Sequence, residues 1–326
     1  MNRMLVIDLV KSLAILSVIV LHTLSKESLL LILAPYHIWQ SVPIFFIVAA
    51  YLFGLRTSQP FRNHYQLTVL MRRFLSLLVP FGMVLIIQFV VFCLYKQDLF
   101  EAIHLVFQKK IGPGSYFIVI FIQFILIAPV ICNLVRYKYG IYILFFLSVA
   151  LEYFCKDLHS EIYRNLVVRY VFAIGLGFHY AFYNRSYRIR FATVTLFLVS
   201  AVYIWLRSYI ISDDFLTHPT WRAQHYLAYF YTVCLFAAML RIGHAITLDK
   251  TPFVTHFAYL GRISYSIFCF QMIYFSTMTL WPVYNDCSTL IKLCVNLFAC
   301  VVGGIALEMS VTFVRIRLNP LNKKTK

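Results

Sequence analysis

The stretch Met4–Leu24, MLVIDLVKSLAILSVIVLHTL, decides the fold, because it is long and apolar enough to cross a lipid bilayer. A transmembrane helix needs about 20 predominantly apolar residues. This one nevertheless carries Asp8 and Lys11 near one end and His22 near the other. Ionisable groups inside hydrocarbon are costly, and they usually face a cavity or a partner group within the helix bundle. The segment therefore predicts a membrane helix whose ionisable residues face a cavity or partner groups in the bundle.

Helical geometry places these three ionisable residues on one side of the predicted helix. An α-helix turns about 100° per residue, so Lys11 and His22 lie within about 60° of Asp8. Asp8 and Lys11 are three residues apart and can neutralise each other. Lys11 and His22 are separated by about 16 Å along the helix axis. Between the two polar ends the same face is apolar, with Ile15, Val18 and Ile19.

Two interpretations of this face follow from its pattern. The structural one is that both polar ends lie at the membrane interfaces and that the face packs into a bundle. The functional one is that the face meets a substrate at each end, with His22 as a general base at the outer end. Histidine suits that role, because its ordinary pKa lies close to neutrality.

Apolar segments recur along the whole chain. The 326 residues are 62% hydrophobic and only 13% charged, whereas soluble domains have about 25% charged residues. The composition predicts an all-α, polytopic membrane protein with about ten transmembrane helices, in one domain over residues 1–326 with no soluble extension. The predicted spans are Met4–Leu24, His37–Leu55, Phe74–Tyr95, Ser115–Val135, Gly140–Phe154, Leu166–Tyr183, Phe191–Arg207, Tyr226–Leu240, Ser264–Trp281 and Leu290–Val314. The fifth and eighth are short enough to be tilted or partly re-entrant.

The distribution of charge predicts the orientation. If the N-terminus is cytoplasmic, 18 of the 29 lysines and arginines fall in segments on that side and ten on the other. Cytoplasmic loops carry the excess of lysine and arginine in membrane proteins. Both termini are therefore expected in the cytoplasm. The net charge of +17 does not indicate a nucleic-acid partner, because the basic residues lie mostly between apolar segments and no nucleic-acid-binding motif is recognisable.

Cysteine and histidine spacing gives no sign of a metal site. The eight cysteines are scattered, mostly within predicted spans, and no C-x-x-C pair occurs. The ten histidines include no H-E-x-x-H motif. We expect the cysteines to be core residues and the protein to need no metal.

Five segments resemble the membrane-bound acyltransferase-3 family in their order and spacing. The first span of that family has an aspartate, then a basic residue, ten further residues and a histidine, which correspond here to Asp8, Lys11 and His22. The other four segments are SVPIFFIVAAYLFGL (Ser41–Leu55), LMRRFLSLLVPF (Leu70–Phe81), GSYFIVIFIQFILIAPVI (Gly114–Ile131) and GRISYSIFCFQMIYF (Gly261–Phe275).

The chain also departs from the family pattern at several positions. Lys11 stands where arginine is more frequent, and Ser76 stands where the second arginine of an R-x-x-R motif is frequent. Ala49 and Ala50 replace a Ser-Gly pair. Gln271 occupies a position where histidine is common, and glutamine does not transfer protons at neutral pH. His22 is thus the main candidate for a catalytic base.

The resemblance implies a membrane O-acyltransferase. Such an enzyme takes an acyl group, acetyl in the first place and succinyl as an alternative, from cytoplasmic acyl-CoA. It passes this group to a hydroxyl of an extracytoplasmic polysaccharide, in the bacterial inner membrane. Similar members include the integral-membrane component of poly-N-acetylglucosamine synthesis and O-antigen acetylases. Direct transfer and a covalent acyl intermediate both stay open.

Three sets of candidate residues follow from the resemblance together with residue chemistry. The candidate catalytic residues are His22, Asp8 and Lys11. Arginine and lysine bind phosphate well, and the candidate contacts for the phosphates of CoA are Arg72, Arg73, Arg136 and Lys138. The candidates for lining the route or stabilising an oxyanion are Ser12, Ser41, Tyr116, Gln123, Ser264, Tyr265 and Gln271.

Two other functions fit parts of the pattern. One is a transporter or exporter of a polysaccharide or lipid-linked glycan that does no chemistry. Repeated halves with interrupted spans, which are typical of many transporters, are not recognisable here. The other is a partner subunit that has lost activity, as the departures from the family pattern suggest. Candidate sugar contacts in an outer loop are Asp213, Asp214, His218, Trp221 and Arg222. The same residues fit the ordinary solvated surface of a loop equally well.

Overall fold

Helices account for the secondary structure of the part of the chain that the computed structural model describes. The described residues are 2–56, 64–96, 112–155, 158–183, 191–210, 225–247, 251–278, 284 and 286–318, and they contain no β-strand. In chain order the α-helices are α1 Asn2–Thr23, α2 Lys26–Leu31, α3 Ser41–Arg56, α4 Leu67–Lys96, α5 Tyr116–Val135, α6 Gly140–Cys155, α7 Ser160–Arg164, α8 Val171–Tyr183, α9 Phe191–Trp205, α10 Tyr229–Ile246, α11 Pro252–Arg262, α12 Ser264–Met278 and α13 Thr289–Leu318.

A multi-pass membrane architecture is confirmed, but the predicted number of ten spans is not. Among the described residues, seven helical segments are long and apolar enough to cross a bilayer: Met4–Thr23, Ala34–Arg56, Leu67–Leu94, Tyr116–Val135, Ala192–Ile210, Tyr229–Ile246 and Thr289–Arg315. Helix α6 has 16 residues and is about 24 Å long, less than the roughly 30 Å of hydrocarbon in a bilayer. The predicted sixth span is likewise a shorter apolar helix, Val167–Tyr183. The predicted orientation stays a prediction.

Several boundaries differ from those predicted. The eighth span, expected to be short, is the longer helix Tyr229–Ile246. The sixth begins with a 3-10 turn, Val167–Tyr170. Helix α11 was not predicted at all, because its 11 residues are too few for a span. The predicted outer-loop contacts between Asp213 and Arg222 lie outside the described residues.

Helix α1 lies at the centre of the bundle. It contacts α3, α10, α11, α12 and α13, and its apolar residues Ile15, Val18 and Ile19 are buried. Helix α11 packs closely on its first half, because Gly261 leaves room for the backbone carbonyl of Asp8. The Ser12 hydroxyl donates to the carbonyl of Phe257 at 2.6 Å. Small residues and hydroxyl groups commonly hold membrane helices together in this way.

Gly261→Ala should destabilise the bundle, because the added methyl group would overlap the Asp8 carbonyl. Overpacking of this kind typically costs about 1–3 kcal/mol. The measurement is the thermal unfolding midpoint of the detergent-purified protein. Gly82→Ala is the matched control, because an added methyl there meets nothing within 4 Å. Equal midpoints for the two variants would contradict the close packing of α1 on α11.

Candidate active site

A cavity of about 680 Å³ is lined by residues of α1, α3, α4, α5, α11, α12 and α13 and by His64, which precedes α4. One end of the cavity is lined by basic side chains and the other by apolar, mostly aromatic ones. The basic side chains in its lining are Lys11, Arg56, His64, Arg73, Arg262 and Arg315. Its apolar lining includes Val18, Phe45, Phe117, Phe121 and Phe268. The four arginines belong to segments that the charge distribution predicts to be cytoplasmic.

At the basic end of the cavity, Arg73 and His64 contact each other. The Arg73 guanidinium lies over the Phe53 ring at 4.9 Å, and its Nη2 donates to His64 Nδ1 at 3.4 Å. A neutral His64 that accepts at Nδ1 carries its hydrogen on Nε2. Arg73 Nη1 and His64 Nε2 are both buried and have no hydrogen-bond partner within the described part of the chain. Two such donors on contacting residues of the cavity lining suit an anionic ligand such as a phosphate.

The surroundings of His64 favour its neutral form in the protein without ligand. Burial, followed by the nearby charges of Arg73 and Arg136, lowers the pKa of His64 below its usual 6.5. An anion bound beside His64 would raise this pKa again.

The sequence did not identify His64 as a site residue, because it lies in a connection between spans and in no recognised motif.

Pro80 shapes one wall of the cavity. A proline inside a helix has no N–H for the carbonyl four residues earlier, which in α4 is that of Ser76. The guanidinium of Arg315 donates to this carbonyl at 3.2 Å. One residue further on, the Leu77 carbonyl accepts the Tyr265 hydroxyl at 2.7 Å. The carbonyl that Pro80 leaves free thus joins α4 to α13, and the Leu77 carbonyl joins α4 to α12. Tyr265 both lines the cavity and holds its wall.

Polar groups also lie on the α12 and α13 side of the cavity. Ser264, Ser266 and Glu308 line it there, and the Ser266 hydroxyl donates to the Glu308 carboxylate. Glu308 is the one acidic side chain among the described residues of the lining. It lies within an otherwise apolar span and was not among the predicted site residues. The sequence could have indicated Glu308, because it lies seven residues before Arg315 on α13 and residues seven apart share a helix face.

His22 lies beyond the apolar end of the cavity. Val18, one helical turn earlier on α1, is part of the lining. The half-buried His22 ring packs against the Phe275 ring of α12, with centroids 5.7 Å apart. The Arg164 guanidinium is close enough to interact with His22 electrostatically. The next residue, Thr23, accepts a hydrogen bond from Asn296 Nδ2 at 2.9 Å, which fixes this end of α1 against α13.

The predicted pair at the other end of α1 is formed. Lys11 Nζ lies 2.6 Å from Asp8 Oδ1. Lys11 lines the cavity, whereas Asp8 is not among its lining residues. Their catalytic roles stay a prediction, and the pair explains how α1 carries two charges within the bundle.

The other predicted phosphate contacts lie outside the cavity lining. Arg72, Arg136 and Lys138 have exposed side chains. Arg136 lies over the Phe182 ring at 5.5 Å and near enough to His64 to affect its pKa. The structure thus brings together Arg73, Lys11 and the unpredicted His64 rather than the four residues of the predicted set.

Several of the predicted route-lining residues make contacts that hold the fold. Gln123 donates to the Asn165 carbonyl at 2.7 Å and accepts from the Val167 backbone N–H at 3.0 Å. Ser41 donates to the Ile38 carbonyl at 2.6 Å. Tyr116 lies beneath the guanidinium of Arg164 at 4.7 Å. Of the predicted set, Ser264 and Tyr265 line the cavity, and Gln271 is completely buried on α12.

Together these features define a multi-pass helical membrane protein with an internal cavity. The cavity is basic at one end, and its other end approaches His22 of α1. The chain belongs to the acyltransferase-3 family, whose family model, described as an acyltransferase domain, matches residues 4–309. The protein is therefore a membrane acyltransferase. No curated protein and no solved structure gives a significant match to the chain.

Among the described residues no group of three or more histidine, cysteine or acidic side chains is arranged to hold a metal ion.

Proposed function

We propose that the protein transfers an acyl group, in the first place acetyl, from cytoplasmic acyl-CoA to a hydroxyl of a cell-surface polysaccharide across the bacterial inner membrane. One observation carries this proposal. The cavity begins among basic side chains and reaches Val18, one turn below His22, through an aromatic interior. Acyl-CoA has anionic phosphates at one end and a reactive acyl group at the other. Its two ends therefore match the basic end and the apolar end of the cavity.

The donor's phosphates would bind at the basic end. Arg73 Nη1 and His64 Nε2 offer two buried donors there, and Arg315 and Arg262 add positive charge around them. The pantetheine arm would follow the apolar interior, where phenylalanine rings exclude water. Its amide groups would find polar partners on the α12 and α13 wall at Ser264 and Glu308.

His22 would act on the acceptor at the far end. The acceptor oxygen attacks the thioester carbonyl carbon, so that a carbon–oxygen bond forms as the carbon–sulfur bond breaks. His22 takes the hydroxyl proton and passes it to the departing thiolate, which leaves as CoA thiol. In a mechanism with a covalent intermediate the overall balance is the same. General-base assistance typically contributes roughly 10²–10⁴-fold in rate.

Reconstitution tests the proposed function. Purified protein in proteoliposomes receives acetyl-CoA labelled in the acetyl group on one side and polysaccharide on the other, and ester-linked label on the polysaccharide is measured. We expect label to accumulate with CoA thiol in equal amount. Passage of polysaccharide across the membrane with no label on it would contradict the proposal and favour an exporter.

Donor affinity should rise as the pH falls, because a bound phosphate favours protonated His64. Burial and the guanidinium groups of Arg73 and Arg136 lower the pKa of free His64, so binding an anion raises it and takes up a proton. The KM for acyl-CoA should therefore fall as the pH decreases through the pKa of His64 in the donor complex toward the lowered pKa of free His64, by up to roughly tenfold for each unit that binding raises this pKa.

His64→Gln separates this effect from the titration of the phosphate itself. Glutamine retains an N–H donor but does not titrate in this pH range, so the variant should keep only the pH dependence of the donor. Identical pH profiles of KM for the wild type and His64→Gln would contradict the uptake of a proton by His64 on donor binding. The groups facing His64 are Arg73, Arg136 and the Phe53 ring.

A further inference from the structure

Gln271 lies on α12 between the apolar end of the cavity and His22. Phe268, three residues earlier, lines the cavity, and Phe275, four residues later, packs against the His22 ring. At about 100° per residue, Phe268, Gln271 and Phe275 lie within about 60° of one another around the helix axis. Gln271 is therefore on the face of α12 that continues from the cavity toward His22.

The side chain of Gln271 is buried without satisfying its hydrogen-bonding capacity. Its exposed fraction is 0%. Neither Nε2 nor Oε1 has a hydrogen-bond partner within the described part of the chain. Leaving a buried amide unpaired is unfavourable by about 1–3 kcal/mol. Such a group in a native protein points to a ligand or an ordered water that completes it.

The other buried glutamine beside α12 is placed differently. Gln88 of α4 is 1% exposed, and its Nε2 donates to the Ser276 hydroxyl at 3.2 Å. Gln88 thus has an N–H donor in use within the bundle, whereas its Oε1 has no partner among the described residues. Gln88 is not among the described residues that line the cavity. The unused N–H donors of Gln271 are what sets it apart.

We propose that the Gln271 carboxamide donates a hydrogen bond to the carbonyl oxygen of the donor thioester and stabilises the negative charge that develops there. This inference rests on the proposed function. When the acceptor oxygen bonds to the carbonyl carbon, one electron pair of the C=O bond moves onto the oxygen. The Nε2–H group holds that charge until the pair returns and the carbon–sulfur bond breaks. His22 carries the acceptor's proton meanwhile.

Gln271→Leu tests the assignment, because leucine fills similar space and removes the unpaired amide. Removing one oxyanion donor typically lowers kcat by roughly 10²–10³-fold. We expect that loss in the reconstituted acetyl-CoA assay, with the KM for acetyl-CoA little changed and the thermal unfolding midpoint raised. A structural role would lower the midpoint together with activity. A rise in stability with a loss of turnover therefore distinguishes catalysis from packing.

Two further variants make the result specific. Gln271→His keeps an N–H donor and should retain more activity than Gln271→Leu. Gln88→Leu is the matched control and should leave kcat close to the wild-type value, because Gln88 does not line the cavity and its amide donates to Ser276 instead. A wild-type kcat in Gln271→Leu, or a lowered midpoint with proportionate loss of activity, would overturn the inference alone. Failure of the wild type to transfer any acetyl group would overturn the proposed function itself.

Discussion

His22→Ala should abolish measurable acyl transfer while the protein still inserts and folds. Without the imidazole no group on this part of α1 can take the proton of the acceptor hydroxyl, and loss of a general base lowers the rate roughly 10²–10⁴-fold. The readout is ester-linked label on the polysaccharide in proteoliposomes, at saturating donor and acceptor. Because the base acts in the transition state, kcat should fall and the KM for the donor should stay near its wild-type value.

His179→Ala provides the matched control for this variant. His179 is also half-buried in an apolar helix, α8, where its ring packs against Tyr183 with centroids 4.9 Å apart. It is not among the described residues that line the cavity. His179→Ala should therefore remain active. Transfer at the wild-type rate by His22→Ala, or an equal loss in both variants, would contradict His22 as the base.

Arg73→Gln should weaken donor binding, because it removes the charge that faces the basic end of the cavity. A hydrogen bond to a charged group contributes about 1.5–3 kcal/mol, which corresponds to a rise in the KM for acyl-CoA of roughly 10- to 150-fold. The kcat at saturating donor should change little, since the lost contact is equally strong before and during the reaction. The measurement is the dependence of the transfer rate on acyl-CoA concentration.

Arg72→Gln is the control that the sequence itself offers. The two arginines are neighbours and carry the same charge, but Arg72 is exposed and Arg73 lines the cavity. The KM of Arg72→Gln should stay within about threefold of the wild type, as expected for an exposed charge. Equal increases in KM for the two variants would mean that general positive charge, rather than this cavity, attracts the donor.

The relation between sequence and site is clearest on α1. Helical periodicity alone placed Asp8, Lys11 and His22 on one face, and the structure forms the predicted Asp8–Lys11 pair and lines the cavity with Lys11 and Val18. Periodicity can do this because all of these residues belong to one rigid element. It could not choose between Arg72 and Arg73, because about 100° of rotation separates neighbours and only the adjoining helices define which side is interior.

Groups from different helices were harder to recognise. His64 precedes α4, and Glu308 lies in an apolar stretch of α13, yet both reach the same cavity. Gln271 was predicted only as one of seven candidates for lining the route or stabilising an oxyanion, and its complete burial without hydrogen-bond partners among the described residues depends on how α12 packs. The predicted count of ten spans is not confirmed for a related reason: a helix of 16 residues such as α6 is apolar but shorter than the bilayer.

The sequence by itself determined that this is a helical membrane protein, because a run of apolar residues must satisfy its backbone hydrogen bonds internally in lipid and a helix does so within one segment. It also determined the two polar ends of α1, since a single helix has a fixed periodicity. Only the tertiary structure decided which basic groups converge, and that the cavity between them and His22 has an aromatic interior. Those features depend on contacts between residues far apart in the chain, which no local pattern specifies.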